Sequence, residues 1–422
     1  MSKGFPILFL LLLVFSSANS QWIIQHTSVP SQSIYCMKFF NDNTGYHSGV
    51  LYNSSTYNIY KTTTGGINYT AQNSHYTSQR FMSIWILHPD TVFFSGNYGK
   101  ILRTVDGGQN WVTLYSDTTR QFWGLWFVNS LTGFVAGSYG TIMKTTNRGN
   151  NWVILTTNIQ NALDGIYFVN ENTGYVAGAN VVLKTTNAGV NWTNKYGIFI
   201  SGFESAKAVY FSDENTGYYC TNTSNCRIVK TTDGGDNWAL IHSNEGIGAG
   251  WDMSFINDMT GYVCTGSGKI LKTTDAGNTW EIQNTPLTEN LYAIHFPSML
   301  TGYVASWSGK ILKTTNGGAT FIHNSSNENP NKFELFQNYP NPFNPTTKIR
   351  FSLPHGGIVR LKVYNSLGQE VSELISEQMS RGIYEVEFDG SDLNSGVYFY
   401  RLRYTSIDGN HFSKTKKLLL IK

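Results

Sequence analysis

The chain repeats one stretch of eleven residues several times, and this repetition constrains the fold more than any other feature. Ile228–Trp238 reads IVKTTDGGDNW, Ile270–Trp280 reads ILKTTDAGNTW, and Ile311–Phe321 reads ILKTTNGGATF. The basic residue before the Thr pair marks seven copies of this box: Lys61, Arg103, Lys144, Lys184, Lys230, Lys272 and Lys313. Successive copies lie 42, 41, 40, 46, 42 and 41 residues apart. A period near 42 residues predicts stacked units, each too small to bury its apolar faces alone.

The residues before each box alternate in character. Six units contain a Thr-Gly-aromatic triplet, beginning at Thr44, Thr132, Thr173, Thr216, Thr260 and Thr301, and the second unit has DTVFFSG instead. Five residues before that Thr stands Phe, seven before it an aliphatic residue or Met, and eight before it a small or polar residue. This period of two predicts a strand, and the small residues suit the crowded innermost strand of a closed ring. The Gly after the Thr is expected in a turn that needs a positive φ.

The pattern therefore predicts that each unit forms four short strands. These are an inner strand, the Thr-Gly-aromatic strand, the Ile-Leu-Lys strand, and a last strand that begins with Trp. Seven such units predict an all-β fold, a seven-bladed β-propeller over residues 21–322. The segment QWIIQ, Gln21–Gln25, resembles an extra last strand ahead of the first unit. We expect it to pair with the last blade and close the ring.

The box itself has the composition of a turn. In TTDGGDNW, Asp233 can accept backbone N–H groups, Gly235 can adopt a positive φ, and Trp238 can cover the turn. Thr64 takes the Asp position in the first unit, and the other copies carry either Asp or Asn there: Asp106, Asn147, Asn187, Asp275 and Asn316. Because Asn replaces Asp, charge is not required, and a structural role is favoured over catalysis. We predict no metal site and no cofactor.

The boxes resemble the Asp-box, or BNR, repeat. The longer TGYVAG and ILKTTDGG unit is similar to propellers related to photosystem II stability and assembly factors. The resemblance covers Gln21 to about Phe321 and implies the propeller fold. It leaves function open, because Asp-box propellers include sialidases, other glycosidases, receptors and non-enzymatic assembly factors.

The N-terminus carries an export signal. An unbroken apolar run, Phe5–Phe15, follows Lys3, and small residues at Ala18 and Ser20 precede a cleavage point before Gln21. This pattern predicts a secretory signal peptide at 1–20, which is too short for a stable membrane span. The net charge of +3 is close to neutral, so nucleic acid is not favoured as a partner.

Export permits an isolated disulfide bond. Cys220 and Cys226 flank TNTSN where a strand should reverse direction, so they form either a hairpin bridge or two unpaired thiols. Cys36 and Cys264 are expected to be small buried apolar groups.

The repeat stops after Phe321, and a polar linker is predicted at 323–332. In residues 333–422, apolar and polar residues alternate as they do in half-buried strands. This pattern predicts a small Ig-like β-sandwich. The stretches YPNPFNP, YNSLGQEV and GVYFYRLR, with the Lys-rich end, resemble the C-terminal sorting domain of the type IX (Por) secretion system. The resemblance implies that the type IX machinery binds residues 333–422 and exports the protein to the outer cell surface or the medium. An Ig-like adhesive domain is the alternative.

One set of residues is a candidate ligand site. Nine residues before the Thr, at the start of the inner strands, stand mainly aromatic and charged side chains: Tyr35, Trp123, Asp164, Lys207, Trp251 and Tyr292, with Asp252 next to Trp251. Symmetry places them at one height around the central channel, where they suit a glycan or protein ligand. The alternative is that the rings pack between blades and that Asp164 pairs with Lys207.

Catalysis has one candidate pair, Asp164 and Asp252, which could act as the acid and base of a glycoside hydrolase. No catalytic set is complete in the sequence. The sequence therefore favours an exported, non-catalytic propeller that binds a glycan or a protein. A secreted glycoside hydrolase is the alternative.

Overall fold

The computed structural model describes residues 22–27, 32–51, 56–72, 76–77, 79–195, 197, 204–318, 330–379, 381–390, 393–406 and 409–422. The predicted signal peptide (1–20) and most of the predicted linker (323–332) lie outside the described residues. Within them, seven antiparallel sheets form the blades of a propeller, and two further sheets form the tail. The predicted all-β propeller followed by a β-sandwich is confirmed.

Each blade contributes one strand to each of four concentric positions, and blade one has a second outermost strand. The innermost strands are β2 (Gln32–Phe39), β7 (Phe81–His88), β11 (Phe122–Phe127), β15 (Leu163–Phe168), β19 (Ala206–Phe211), β23 (Gly250–Phe255) and β27 (Leu291–His295). The second strands are β3 (Gly45–Leu51), β8 (Thr91–Gly96), β12 (Gly133–Gly137), β16 (Gly174–Gly178), β20 (Gly217–Thr221), β24 (Gly261–Thr265) and β28 (Gly302–Ser306). The third strands are β4 (Thr56–Thr62), β9 (Ile101–Thr104), β13 (Ile142–Thr145), β17 (Val181–Thr185), β21 (Ile228–Thr231), β25 (Lys269–Thr273) and β29 (Lys310–Thr314).

The outermost strands have two to five residues each. They are β1 (Ile23–Thr27), β5 (Thr70–Ala71), β6 (Tyr76–Thr77), β10 (Val112–Tyr115), β14 (Val153–Leu155), β18 (Thr193–Asn194), β22 (Ala239–His242) and β26 (Glu281–Asn284). A 3-10 turn, Ser138–Gly140, joins the second and third strands of blade three. Among the described residues, no helix is long and apolar enough to cross a membrane.

The ring closes through its N-terminal strand, as predicted. β1 pairs antiparallel with β29, so the first segment of the chain supplies the outermost strand of blade seven. Trp22 is fully buried beside it, and its indole Nε1 donates a hydrogen bond of 2.9 Å to Gln283 Oε1. Trp22 meets Phe296 edge-on, as Trp238 of the fifth box meets Phe211. The N-terminal segment thus supplies blade seven with both a strand and an edge-on Trp.

Aromatic stacking joins neighbouring blades. The Phe five residues before each Thr packs against an aromatic residue of the second strand of the preceding blade, and five of the six pairs are stacked. Ring centroids lie 3.4–4.8 Å apart in six such pairs, Phe39–Tyr303, Phe127–Phe93, Phe168–Phe134, Phe211–Tyr175, Phe255–Tyr218 and Phe296–Tyr262. Stacking of this kind stabilises each interface beyond the apolar area it buries.

The Gly of the Thr-Gly-aromatic triplet has a different role from the one predicted. Its φ is not positive in any of the six copies, whereas Gly235 of the box has φ +88, as predicted. A Cβ on these glycines would lie only 2.3–2.7 Å from the Phe ring of the same blade: Gly45, Gly133, Gly174, Gly217, Gly261 and Gly302. The prediction of a turn conformation was wrong, because the packed Phe ring, not the backbone angle, excludes a side chain.

Buried threonines organise the boxes. Thr231 is the first Thr of its pair, and its Oγ1 accepts hydrogen bonds from the N–H groups of Asp233 and Gly235 at 3.3 and 2.9 Å. Asp233 Oδ1 accepts from Thr231 Oγ1 and from the Asn237 N–H, both at 2.8 Å. Asn147 Oδ1 makes both of these contacts, with Thr145 and Asn151, so an amide preserves the main hydrogen bonds of the turn. The second oxygen of Asp233 accepts a further bond of 2.8 Å from Asn237 Nδ2, which an amide nitrogen cannot accept. The geometry is that of a turn scaffold, consistent with the sequence interpretation.

All four cysteines are free buried thiols. The bridge considered between Cys220 and Cys226 is not formed in the structure; both side chains pack around Gly250, where an added Cβ would lie 2.8 Å from Cys226 Sγ and 3.1 Å from Cys220 Cβ. Burial raises the pKa of the Cys226 thiol to about 12, which disfavours its reactive thiolate form. Cys36 and Cys264 are buried as expected.

The tail is a two-sheet sandwich. One sheet has the order β30 (Glu334–Leu335), β31 (Thr346–Leu353) and β34 (Gly382–Asp389). The other has the order β33 (Glu370–Met379), β32 (Gly357–Tyr364), β35 (Gly396–Ser406) and β36 (His411–Leu420). Alternate residues such as Val359, Leu361 and Leu402 face Phe351 and Val386 in a common apolar core.

Candidate functional site

The inner strands surround a central channel with a cavity of about 810 Å³. This volume lies within the range of pockets that hold small ligands. All seven side chains that the sequence proposed for ligand binding line this cavity: Tyr35, Trp123, Asp164, Lys207, Trp251, Asp252 and Tyr292. The residues that the repeat pattern picks out therefore lie together in one cavity.

A β-bulge directs this ring of side chains. In all seven inner strands the pairing register shifts around one residue, which has no partner on the second strand. That residue is the one nine positions before the Thr, for example Trp123 in β11, between Phe122 and Gly124. A bulge bends its strand and redirects the extra side chain. The blade-two equivalent is Met82, which sequence reasoning missed because that unit lacks the Thr-Gly landmark.

One side of the channel mouth is aromatic. Tyr35 and Tyr292 stack with centroids 5.1 Å apart, and Trp251 meets Tyr292 edge-on at 4.8 Å. The Arg80 guanidinium lies 4.5 Å from the centroid of the Tyr35 ring, a cation–π contact. These four side chains form a continuous wall across blades six, seven, one and two, which we call the aromatic wall. The interpretation that these rings pack between blades is confirmed for Tyr35, Trp251 and Tyr292.

The opposite side of the mouth is polar. Lys207 Nζ lies 2.7 Å from Asp164 Oδ1, and Ser205 Oγ donates a hydrogen bond to Asp164 Oδ2. The predicted pairing of Asp164 with Lys207 is therefore confirmed. Trp123 is only half-buried, and among the ring contacts of the described residues none involves it. Its indole is thus available to the channel.

Asp252 lies deeper, enclosed in the channel with only partial solvent contact. Its Oδ1 accepts from the Met253 N–H at 2.8 Å and its Oδ2 from the Ile294 N–H at 3.0 Å. Burial raises the pKa of Asp252 to about 6, although both hydrogen bonds and the nearby charge of Lys38 oppose this rise. Burial lowers the pKa of Lys38 to about 8, and the charge of Asp252 opposes that fall.

A second row of aromatic rings lies at the far end of the inner strands. It follows Trp85, Trp126, Tyr167 and Tyr210, with successive centroids 4.3, 4.4 and 5.2 Å apart. The Lys38 ammonium lies 4.2 Å from the centroid of Trp85. Sequence reasoning missed this row, although aromatic residues recur six positions before the Thr at Trp126, Tyr167 and Tyr210. Both ends of the channel therefore carry aromatic side chains.

The described residues include no group of three or more His, Cys, Asp or Glu side chains that could hold a metal ion. The channel can offer aromatic side chains, an ion pair and one partly buried carboxyl group. These groups recognise polar ligands that also have apolar faces.

The tail matches a known family. Residues 337–421 match the family model of the secretion system C-terminal sorting domain. The tail is a type IX sorting domain. This match sets aside the adhesive-domain alternative and implies export to the cell surface or the medium.

Solved structures show similar propellers. YCF48 bound to a D1 peptide is 17% identical, with 70% of this chain and 97% of that chain covered, at a TM-score of 0.57. YCF48 from Cyanidioschyzon merolae is 17% identical, with 69% and 98% covered, at a TM-score of 0.53. At such identities the likeness shows the fold alone.

PorZ, an essential bacterial surface component of the type IX secretion system of Porphyromonas gingivalis, is 14% identical at a TM-score of 0.51. The match covers 92% of this chain and 59% of PorZ, so this chain spans little more than half the length of PorZ. No curated protein matches the chain in sequence. The chain is thus a propeller joined to a sorting tail.

Proposed function

We propose that this exported propeller is a non-catalytic binding protein and that its central channel holds a glycan. One observation carries the proposal: the three rings of the aromatic wall, Tyr35, Tyr292 and Trp251, line one cavity together with the Asp164–Lys207 ion pair. A sugar ring has C–H faces that pack on aromatic rings and hydroxyl groups that exchange hydrogen bonds with charged side chains.

Trp123 is the side chain best placed to contact such a ligand. It is half-buried, it projects from a bulge, and it lines the cavity beside the polar side of the mouth. The other aromatic residues of the mouth already pack against one another, so their removal would disturb the blades as well as the site. Trp123 therefore offers the cleanest test of binding.

A peptide is the competing ligand class. YCF48, whose fold is similar, was solved with a bound D1 peptide, and this supports keeping peptides in the test. The glycan is preferred because the Trp123 ring, which packs on no other ring among the described residues, lines the cavity and suits the flat apolar side of a sugar.

A glycoside hydrolase is the second candidate, favoured by the pKa of Asp252, which burial raises to about 6. A carboxyl group of this kind can act as a general acid. Its proposed partner Asp164 is less suitable, because Lys207 and Ser205 already occupy its two oxygens. We therefore favour binding without cleavage.

The test uses the full mature chain on an array of bacterial and plant polysaccharides and peptides, read for both binding and new reducing ends. We expect glycan binding without release, with Trp123→Ala lowering affinity about tenfold. The matched control is Trp307→Ala, since Trp307 is exposed and lies outside the cavity lining. Release of sugars that Asp252→Asn abolishes would instead establish the hydrolase. Binding to peptides alone would contradict the glycan assignment.

A further inference from the structure

The outer face of the larger sheet of the sorting tail concentrates positive charge. In β32, Ile358, Arg360, Lys362 and Tyr364 alternate with buried residues and face away from the core. In β35, the residues that face the same side include Phe399, Arg401 and Arg403. Lys417 of β36 pairs with Phe399 and joins them. We call this surface the cationic face: Arg360, Lys362, Tyr364, Phe399, Arg401, Arg403 and Lys417.

The central strands place like charges opposite one another. Arg360 is the cross-strand partner of Arg403, and Lys362 is the partner of Arg401. Side chains directly opposite on one face of an antiparallel pair lie close together, and like charges there destabilise the sheet. Two successive cross-strand pairs of like charge lower the stability of the sheet. A requirement of folding therefore does not explain why these residues are positively charged.

Neighbouring side chains relieve only part of the repulsion between positive charges on the cationic face. Glu370 forms an ion pair with Lys362 at 2.9 Å. The Arg401 guanidinium lies 5.1 Å from the centroid of the Tyr364 ring. None of the ion pairs formed by the described residues includes Arg360 or Arg403, and both side chains are exposed. The repulsion is therefore least relieved in the Arg360–Arg403 row.

We propose that the cationic face is the surface by which the sorting tail docks on an acidic protein surface of the export machinery. Charge complementarity defines the partner, because carboxylates inserted between the rows would turn repulsion into paired attraction. The composition favours a protein over a lipid or a polysaccharide. Arginine and aromatic residues are enriched at protein interfaces, and here Arg360, Arg401 and Arg403 lie beside Tyr364 and Phe399.

The decisive variant is Arg360→Gln with Arg403→Gln in the full chain, expressed in a cell with a type IX system. We expect the exported fraction to fall about tenfold. Thermal unfolding of the purified variant should occur at the same temperature as in the wild type or a higher one, because the opposed charges are gone. A role confined to folding would lower export and stability together.

Two controls complete the test. Lys332→Gln with Lys414→Gln removes the same charge from exposed side chains away from the face; Lys414 Nζ lies 5.8 Å from the Phe333 ring centroid, on the other side of the sheet. This control should be exported normally. Arg360→Lys with Arg403→Lys keeps the charge and should retain most export. Equal export of the glutamine variant and its control would overturn the proposal.

Direct binding measurements test two other classes of partner, anionic lipids and polysaccharides. The purified full chain is mixed with phosphatidylglycerol vesicles and, separately, with heparin, near physiological ionic strength. We expect no binding that depends on Arg360 and Arg403. Binding to either probe that the glutamine variant loses would assign the face to lipid or polysaccharide and overturn an acidic protein partner.

Discussion

Lys207 Nζ lies 2.7 Å from Asp164 Oδ1 across the boundary between blades four and five. The carboxylate is mostly buried, at 10% side-chain exposure, and the ammonium is at 24%. The pair closes the polar side of the channel mouth opposite the aromatic wall. It therefore joins two neighbouring blades and also fixes the charges that a ligand would meet.

Removal of one partner of this ion pair should destabilise the propeller. In Lys207→Met, Asp164 keeps Ser205 but loses its counter-charge, so we expect the free energy of unfolding to fall by about 1–3 kcal/mol. The control is Lys195→Met, whose partner Asp236 is 64% exposed and whose ion pair should contribute less than about 1 kcal/mol. Urea unfolding measures both. Equal losses in the two variants would show that enclosure at the mouth adds nothing to the pair.

The buried Thr of the box should matter more than its neighbour. Thr231→Val leaves the buried Gly235 N–H without its acceptor and should lower the free energy of unfolding by about 1–3 kcal/mol. Thr232→Val changes the exposed Thr beside it and should have an effect within about 0.5 kcal/mol. Denaturant unfolding compares them. A larger effect at Thr232 would be inconsistent with the turn scaffold described above.

Ring closure should depend on Trp22. Trp22→Ala removes a fully buried indole and its hydrogen bond to Gln283, so we expect a loss of about 3–5 kcal/mol. Ile23→Ala in the same segment truncates a side chain that is 56% exposed and should be nearly neutral. Limited proteolysis with unfolding curves reports both stability and opening of the ring. A mild effect of Trp22→Ala would mean that β1 does not hold blade seven.

The pH dependence of stability should reveal Asp252. Burial raises its pKa from 3.8 to about 6, so the folded state binds a proton that the unfolded state releases between these values. Asp252 therefore reduces stability as the pH rises through this window, and the reduction is complete above about pH 6. Asp252→Asn removes this dependence, so the stability of the variant relative to the wild type should increase by about 2 kcal/mol between about pH 4 and pH 8. A constant difference across this range would show that the carboxyl group is not perturbed.

The sequence predicted the fold because the structural units repeat. The recurrence of the Lys230–Trp238 box fixed the number of blades, and QWIIQ predicted the closing strand. Blade two was harder to interpret because it lacks the Thr-Gly-aromatic triplet. Without that triplet, Met82 and Arg80 could not be matched to the channel-lining positions of the other blades. Strand pairing is not visible in the sequence, so the bulge that turns Trp123 into the channel appears only in the structure.

Two predicted features depended on surroundings that the sequence does not show. The repeat shows that a glycine recurs at the position of Gly45. The reason is that the Phe39 ring leaves no space for a side chain there, and this contact forms only in the folded blade. Likewise, the spacing of Cys220 and Cys226 left a bridge open, and only their packing around Gly250 shows two separate thiols. Local patterns thus predicted the elements, and contacts between elements determined their roles.

The central claim is that the channel mouth holds a glycan, and a calorimetric titration tests it most directly. The full mature chain, Trp123→Ala and Trp307→Ala are each titrated with the strongest glycan found on the array. We predict that Trp307→Ala binds like the wild type and that Trp123→Ala binds about tenfold more weakly at unchanged thermal stability. Equal affinity in all three proteins would place the ligand outside the channel and contradict the proposed function.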